Sequence, residues 1–119
     1  MAKKWALTKR AQYLTVYKSG KAWVDNLIVI KALPNELEFS RYGFSVAKEV
    51  GKAVVRNRVR RLLKEIARLT SVKPGWDIVF IARPNAAAAD YYQLKKSVEK
   101  LILRAHLTDK DETLRVGVN

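Results

Sequence analysis

One stretch of eighteen residues limits what this chain can become. Over residues 52–69, KAVVRNRVRRLLKEIARL, the apolar side chains Val55, Val59, Leu62, Ile66 and Leu69 recur at steps of four, three, four and three. That spacing lays them along one face of an α-helix. With Leu63 added, at about 100° per residue, they cover an arc of roughly 120°. The opposite side carries Arg56, Asn57, Arg60, Arg61, Lys64 and Arg68. Extended back to Lys48, the segment 48–68 holds eight cations (Lys48, Lys52, Arg56, Arg58, Arg60, Arg61, Lys64, Arg68) against two acids, Glu49 and Glu65. A solvated helix face mixes signs through pairs four residues apart, and Arg61–Glu65 is the one such pair within this helix. A helix that lies on a membrane surface needs its apolar side free, whereas a small domain uses that side for its core. The cationic side therefore reads as a phosphate-binding surface, with guanidinium forks for phosphate oxygens and Asn57 for a ribose or phosphate.

The rest of the chain agrees with a polyanionic partner. Its 119 residues make one domain, and Lys and Arg number 24 against 11 Asp and Glu, a net charge of +13. So much like charge in a compact body is self-repelling until a polyanion neutralises it. Cysteine is absent, which removes disulfides, thiolate nucleophiles and Cys-based zinc sites and is compatible with a reducing, cytoplasmic setting. The longest unbroken apolar run, residues 78–82, is too short to span a membrane, and MAKKWALTKR shows no apolar signal core.

Around the basic helix the pattern predicts the order αβββαβα. Thr8 caps a short helix over 9–19 that Gly20 stops. Strands follow at 22–25, 27–32 and 41–47, with Pro34-Asn35 as a turn and Gly43 marking a bulge or close approach. Lys73-Pro74-Gly75 breaks the chain before a continuous apolar strand at 77–82, which reads as buried on both faces. Asp90 caps a last helix with Leu94, Val98, Leu101, Ile102 and Ala105 along its apolar side. Periodicity fades from Leu107, so 107–119 reads as a fraying tail behind a core of about residues 8–106. The fold class is α+β, a sandwich of helices on a mostly antiparallel four-stranded sheet, with residues 41–82 forming a βαβ unit.

The run Lys48-Glu-Val-Gly51-Lys-Ala53-Val54-Val-Arg56-Asn57-Arg58-Val-Arg60-Arg61-Leu62-Leu63-Lys64-Glu65 resembles the signature of the bacterial ribonuclease P protein subunit, known for its RNR motif. Tyr13…Tyr17-Lys-Ser-Gly20 is similar to that family's paired aromatics, and Arg41-Tyr-Gly43-Phe-Ser45-Val46 and Asp77–Arg83 to the strands that flank the motif. The resemblance covers about residues 8–106. Glu49 departs from a position where a second basic residue is common, Lys64 stands for Arg, and Tyr stands for Phe at 13 and 17. The resemblance implies a left-handed βαβ crossover and a protein that pairs with a large catalytic RNA to remove the 5′ leader of precursor tRNA. It further implies that Lys48, Lys52, Arg56, Asn57, Arg58, Arg60, Arg61, Lys64 and Arg68 meet RNA. A cleft of Tyr13, Tyr17, Ile30, Lys31 and Phe44 would hold the single-stranded leader, its aromatics stacking on bases. Mg²⁺ is then a requirement of the RNA-containing holoenzyme, and no obligate protein partner and no membrane are implied.

No catalytic constellation stands out in the protein itself. The acids are mostly scattered, Asp109 and Asp111 lying close together, and His106, the single histidine, reads as a surface residue near the end of the last helix. Phosphodiester hydrolysis by a protein needs converging carboxylates on metal or an acid–base pair. Trp5, Trp23 and Trp76 read as packing or edge residues. The competing reading is a structural RNA-binding protein, ribosomal-protein-like, with the same basic helix and no cleft for a leader.

Overall fold

The computed structural model describes residues 4–109. Helix α1 (Arg10–Ser19) leads into strands β1 (Lys21–Val24), β2 (Ile28–Pro34) and β3 (Arg41–Ser45). Helix α2 (Ala53–Leu69), strand β4 (Trp76–Ala82) and helix α3 (Tyr91–Arg104) complete the chain, with 3₁₀ turns at Lys48–Val50 and Pro84–Ala88. The sheet has the order β1-β2-β4-β3. β1–β2 and β2–β4 are antiparallel, and β3 lies parallel to β4, joined to it through α2. The α+β class, the mostly antiparallel sheet and the βαβ unit expected from the sequence are all present.

Strand parity divides the apolar residues between two layers. Ile28, Ile30 and Ala32 of β2 and Ile78, Phe80 and Ala82 of β4 pack under Val59, Leu63, Ile66 and Ala67 of α2 and Leu94, Val98, Leu101 and Ile102 of α3. On the other face Val79 and Ile81 meet Leu7, Val16, Tyr13 and Tyr17, so α1 covers that side. The α2 stripe departs from expectation at its end. Leu69 is 58% exposed, while Ala67 is buried in its place, because the helix ends at Leu69 with Thr70 turning away in an extended conformation.

Local chemistry fixes the ends of the elements. The N-cap of α1 is Lys9, one residue beyond the expected Thr8. Gln12 reaches back, and its Oε1 accepts from the amides of both Thr8 and Lys9 at 2.9 Å. Asp90 caps α3 as its sequence position implies, accepting from the Gln93 amide at 2.9 Å. At the β1–β2 turn, Asp25 Oδ1 accepts from the amides of Leu27 and Ile28, and Lys100 Nζ lies 3.3 Å from Oδ2. Burial works against the Asp25 charge, but the Ile28 and Leu27 amides, Ser97 and Lys100 outweigh it and hold the carboxyl below its ordinary range. Arg41 and Asp77 form a two-pronged ion pair, at 2.9 and 2.8 Å, across the parallel β3–β4 junction.

The C-terminal end is more ordered than its composition indicates. Leu107 is 1% exposed, its carbonyl accepts from Lys73, and Thr108 bridges to Val72, so the fold runs through at least Asp109. The remainder of the expected tail, 110–119, lies outside the described residues. The turn that brings Leu107 back is a Schellman motif: His106 donates to Leu103 O and Leu107 to Ile102 O, both at 3.0 Å. His106 occupies its left-handed position, with φ 58°, where glycine is usual. His106 is exposed, as its sequence position suggests, and its role in the fold is a backbone one. His106→Gly should raise stability by roughly 0.5 kcal/mol, the left-handed penalty of a β-carbon exceeding glycine's entropy cost. Urea unfolding of the two proteins checks this, and a less stable His106→Gly variant would contradict it.

Candidate nucleic-acid interface

Two concave surfaces lie on opposite sides of the β3 edge. The first follows α2. Burial of Val59, Leu63 and Ile66 turns the polar side of that helix outward, and a groove of about 520 Å³ forms along it. Its lining is Trp5, Asn57, Arg60, Arg61, Lys64, Glu65 and Arg68. Within it Arg60 Nη1 donates to Asn57 Oδ1 at 2.9 Å, which leaves Asn57 with its amide donors. Glu65 pairs with Arg68, at 3.2 and 2.8 Å, and not with Arg61 as the four-residue spacing suggested. The bond to Arg68 lowers the Glu65 pKa and the same bond raises that of Arg68. The one acid of the groove is therefore matched, while Arg61 and Lys64 carry neither an ion pair nor a hydrogen bond among the described residues.

The other expected RNA-binding residues lie off this groove. Arg58 swings to the flank, donating from Nη2 to Ala89 O at 2.6 Å and from Nη1 to Ala87 O at 3.4 Å, so part of its guanidinium fastens α2 to the alanine turn. Arg56 is half-buried, with Nε enclosed and without a partner among the described residues. Lys48 and Lys52 are exposed at the start of α2, Lys52 as its N-cap, and no acid occupies the first turn. Cations at the positive end of a helix dipole oppose it, an arrangement that an external anion relieves.

The second surface is a cleft of about 400 Å³ between α1 and β3, lined by Thr8, Arg10, Tyr13, Leu14, Tyr17, Phe44 and Ser45. The phenol end of Tyr13 lies against Gly43, where a β-carbon would come within 2.7 Å of Cε2 and Cζ. The Gly43 close approach anticipated from sequence is thus made by an aromatic ring. Tyr13 Oη also accepts from the Phe44 amide at 3.2 Å and lies 3.4 Å from Leu7 O. Tyr17 stands beside it, ring centroids 6.4 Å apart and planes tilted by 59°.

Of the five cleft residues named from sequence, Tyr13, Tyr17 and Phe44 come together in the lining, Lys31 lies at its edge beside Tyr17, and Ile30 is placed elsewhere. Ile30 is fully buried on the α2–α3 face and has no part in the cleft, because the register with β4 pairs it with Phe80. Phe44 reaches the cleft rim, but its ring stacks on Phe80 on that same far face, at 5.4 Å and 12°. Lys31 lies next to Tyr17 and not in the cleft lining; its Nζ donates to Tyr17 O at 3.0 Å at the C-terminal end of α1. Thr8, Arg10, Leu14 and Ser45 were missed as cleft residues. Arg10, Tyr13, Leu14 and Tyr17 stand at i, i+3, i+4 and i+7, a spacing that could have found Arg10 and Leu14. Trp5 was missed as well, and only its place among N-terminal cations marks it in sequence. Among the described residues no three His, Asp or Glu side chains gather as a metal site, and no helix is long and apolar enough to cross a membrane.

A mixed sheet with one acid-poor cationic helix face and a separate aromatic cleft defines an α+β nucleic-acid-binding protein. The model of the ribonuclease P family matches residues 1–106. A ribonuclease P protein component from Dehalococcoides mccartyi is 47% identical over 104 residues, 87% of each chain. One from Clostridioides difficile is 45% identical over 105 residues, 86% of this chain and 92% of that one. The RNase P protein of Staphylococcus aureus superposes with a TM-score of 0.81 at 28% identity, covering 90% of this chain and all of the other. That of Thermotoga maritima gives 0.77 at 28% identity, over 83% and 96%. The chain belongs to the ribonuclease P protein family, and its part is that of a ribonuclease P protein component.

The fit of Tyr13 on Gly43 is testable by itself. Gly43→Ala should displace the ring and cost about 1 kcal/mol or more. In a Tyr13→Ala background the same change should cost much less, as a double-mutant cycle of denaturation curves would show. Additive costs would mean that Tyr13 does not rest on Gly43.

Proposed function

We propose that this chain serves ribonuclease P by holding RNA on two surfaces while contributing no bond-breaking group of its own. The exposed cations of α2 take phosphates of the catalytic RNA. The cleft between α1 and β3 takes the single-stranded 5′ leader of precursor tRNA, with Tyr17 stacking on a base and Arg10 near the backbone. The observation that carries this reading is the charge state of the α2 groove: its acid is matched by Arg68, and its remaining cations have no counter-charge among the described residues. A polyanion supplies that charge, releasing counterions as it binds.

The two aromatics divide the work. Tyr13 is held by Gly43 and the Phe44 amide and shapes the cleft wall, leaving Tyr17 as the ring that meets a base. Stacking tolerates any base, which suits leaders of varied sequence. The described acids do not fit a protein-held Mg²⁺, so in this reading the ion belongs to the RNA-containing holoenzyme and finds its ligands among RNA phosphates. His106, exposed at the end of α3, is remote in character from an acid–base pair.

Binding of two RNAs tests the proposal. Tyr17→Ala should weaken binding of leader-bearing precursor tRNA to the reconstituted complex by about 1–3 kcal/mol and leave mature tRNA nearly unaffected. Replacing Arg60 and Arg61 by Ala should instead weaken assembly with the catalytic RNA and flatten its salt dependence, each lost phosphate contact removing nearly one unit of log–log slope. Equal loss of both tRNAs on Tyr17→Ala would reduce Tyr17 to a packing residue. An unchanged salt slope would remove the phosphates from α2.

A further inference from the structure

The α2 groove has one wall that is not cationic. Trp5 belongs to a short segment that extends the sheet at the β3 edge: Trp5 O accepts from the Tyr42 amide at 2.6 Å, and the Leu7 amide donates to Tyr42 O at 2.8 Å. Its indole packs on Tyr42, with centroids 6.3 Å apart, and Lys4 Nζ sits 4.9 Å from the Phe39 ring centroid, fastening the same segment. An indole is thereby held at the rim of a groove whose other side presents Arg61, Lys64 and the amide donors of Asn57.

Cations alone would suffice for phosphate. A large aromatic beside them adds a flat apolar surface that phosphate does not use and that an unstacked base does. Resting on the reading of α2 as an RNA-binding face, we propose that Trp5 and α2 form a nucleotide site: an unpaired nucleobase of the bound RNA stacks on the Trp5 indole while Arg61 and Lys64 hold its flanking phosphates. Asn57, its oxygen occupied by Arg60, offers N–H donors to a ribose hydroxyl or a base carbonyl. The groove volume of about 520 Å³ accommodates one nucleotide with its flanking phosphates. The site is separate from the Tyr17 cleft, which lies on the other face of the sheet. It recognises an extruded or single-stranded nucleotide and not a regular duplex, whose bases are stacked on one another.

The full-length protein titrated with two short RNA probes tests this. One is a single-stranded uridine pentamer; the other is the matching abasic ribose-phosphate pentamer, with the same phosphates and no bases. Binding is read by NMR at the Asn57 side-chain amide, and at the Trp5 indole N–H assigned by its loss in Trp5→Leu. The Trp5 indole should shift with the base-bearing probe and hardly with the abasic one. Trp5→Leu, read at Asn57, should lose roughly tenfold in affinity for the base-bearing pentamer alone, and Trp5→Phe should recover part of it. An unmoved indole in the wild-type protein would overturn the site even if Trp5→Leu failed to fold, as would equal losses for both probes. If neither probe perturbs Asn57 and Arg61→Ala changes nothing, the RNA-binding reading of α2 fails and takes the Trp5 site with it.

Discussion

Strand β4 has no solvent side along most of its length, and the arrangement of both surfaces depends on that. Ile78, Phe80 and Ala82 point into the layer shared with α2 and α3, while Val79 and Ile81 point toward α1. Each fully buried large side chain in that strand contributes about 1.5–3 kcal/mol. A strand buried twice requires a cover on each face. The α2 cover is amphipathic, so burying its apolar side commits its cations to the outside. The α1 cover is short and leaves part of the sheet next to β3 open, which is where the cleft forms. The basic groove and the cleft are therefore two consequences of one central strand.

Electrostatics explain why such a surface persists. In an isolated domain a net charge of +13 is self-repelling, and the α2 face intensifies it by setting Lys52 and Arg56 near the positive end of a helix dipole. Where the fold itself needs charge, it pairs it: Arg41 with Asp77 at the parallel strand junction, and Asp25 with two amides and Lys100 at the β1–β2 turn. Among the described residues the cations of α2 follow the opposite pattern, apart from Arg58, which is tied to the alanine turn, Arg60, which is bonded to Asn57, and Arg68, which is tied to Glu65. These structural charges are matched within the chain; in the proposed function the remaining α2 cations are matched by RNA.

The helices and the central strand were legible because their signals are local. The stripe of α2, the Asp90 cap and the apolar run of β4 each depend on neighbours a few residues away. The basic surface followed directly, since the polar side of an amphipathic helix is the complement of its apolar side. Cleft lining was less legible, because strand parity depends on register with a distant partner. Ile30 pairs with Phe80, fifty residues on, and one step of register separates a cleft residue from a core residue. Trp5 and Leu107 illustrate a related limit. Each is placed by long-range backbone bonds, to Tyr42 and Lys73 respectively, that leave no periodic trace in sequence.

The function proposed for this chain is a division of labour in which protein positions RNA and RNA breaks the bond. The most direct measurement is cleavage of precursor tRNA by nuclease-treated, RNA-free protein, with and without the cognate RNA of ribonuclease P added back. The expected result is no cut by protein alone and a cut at the mature 5′ end once the RNA is restored, with His106→Ala as active as wild type. Correct cleavage by the RNA-free protein would contradict the division and require a catalytic site on the chain itself.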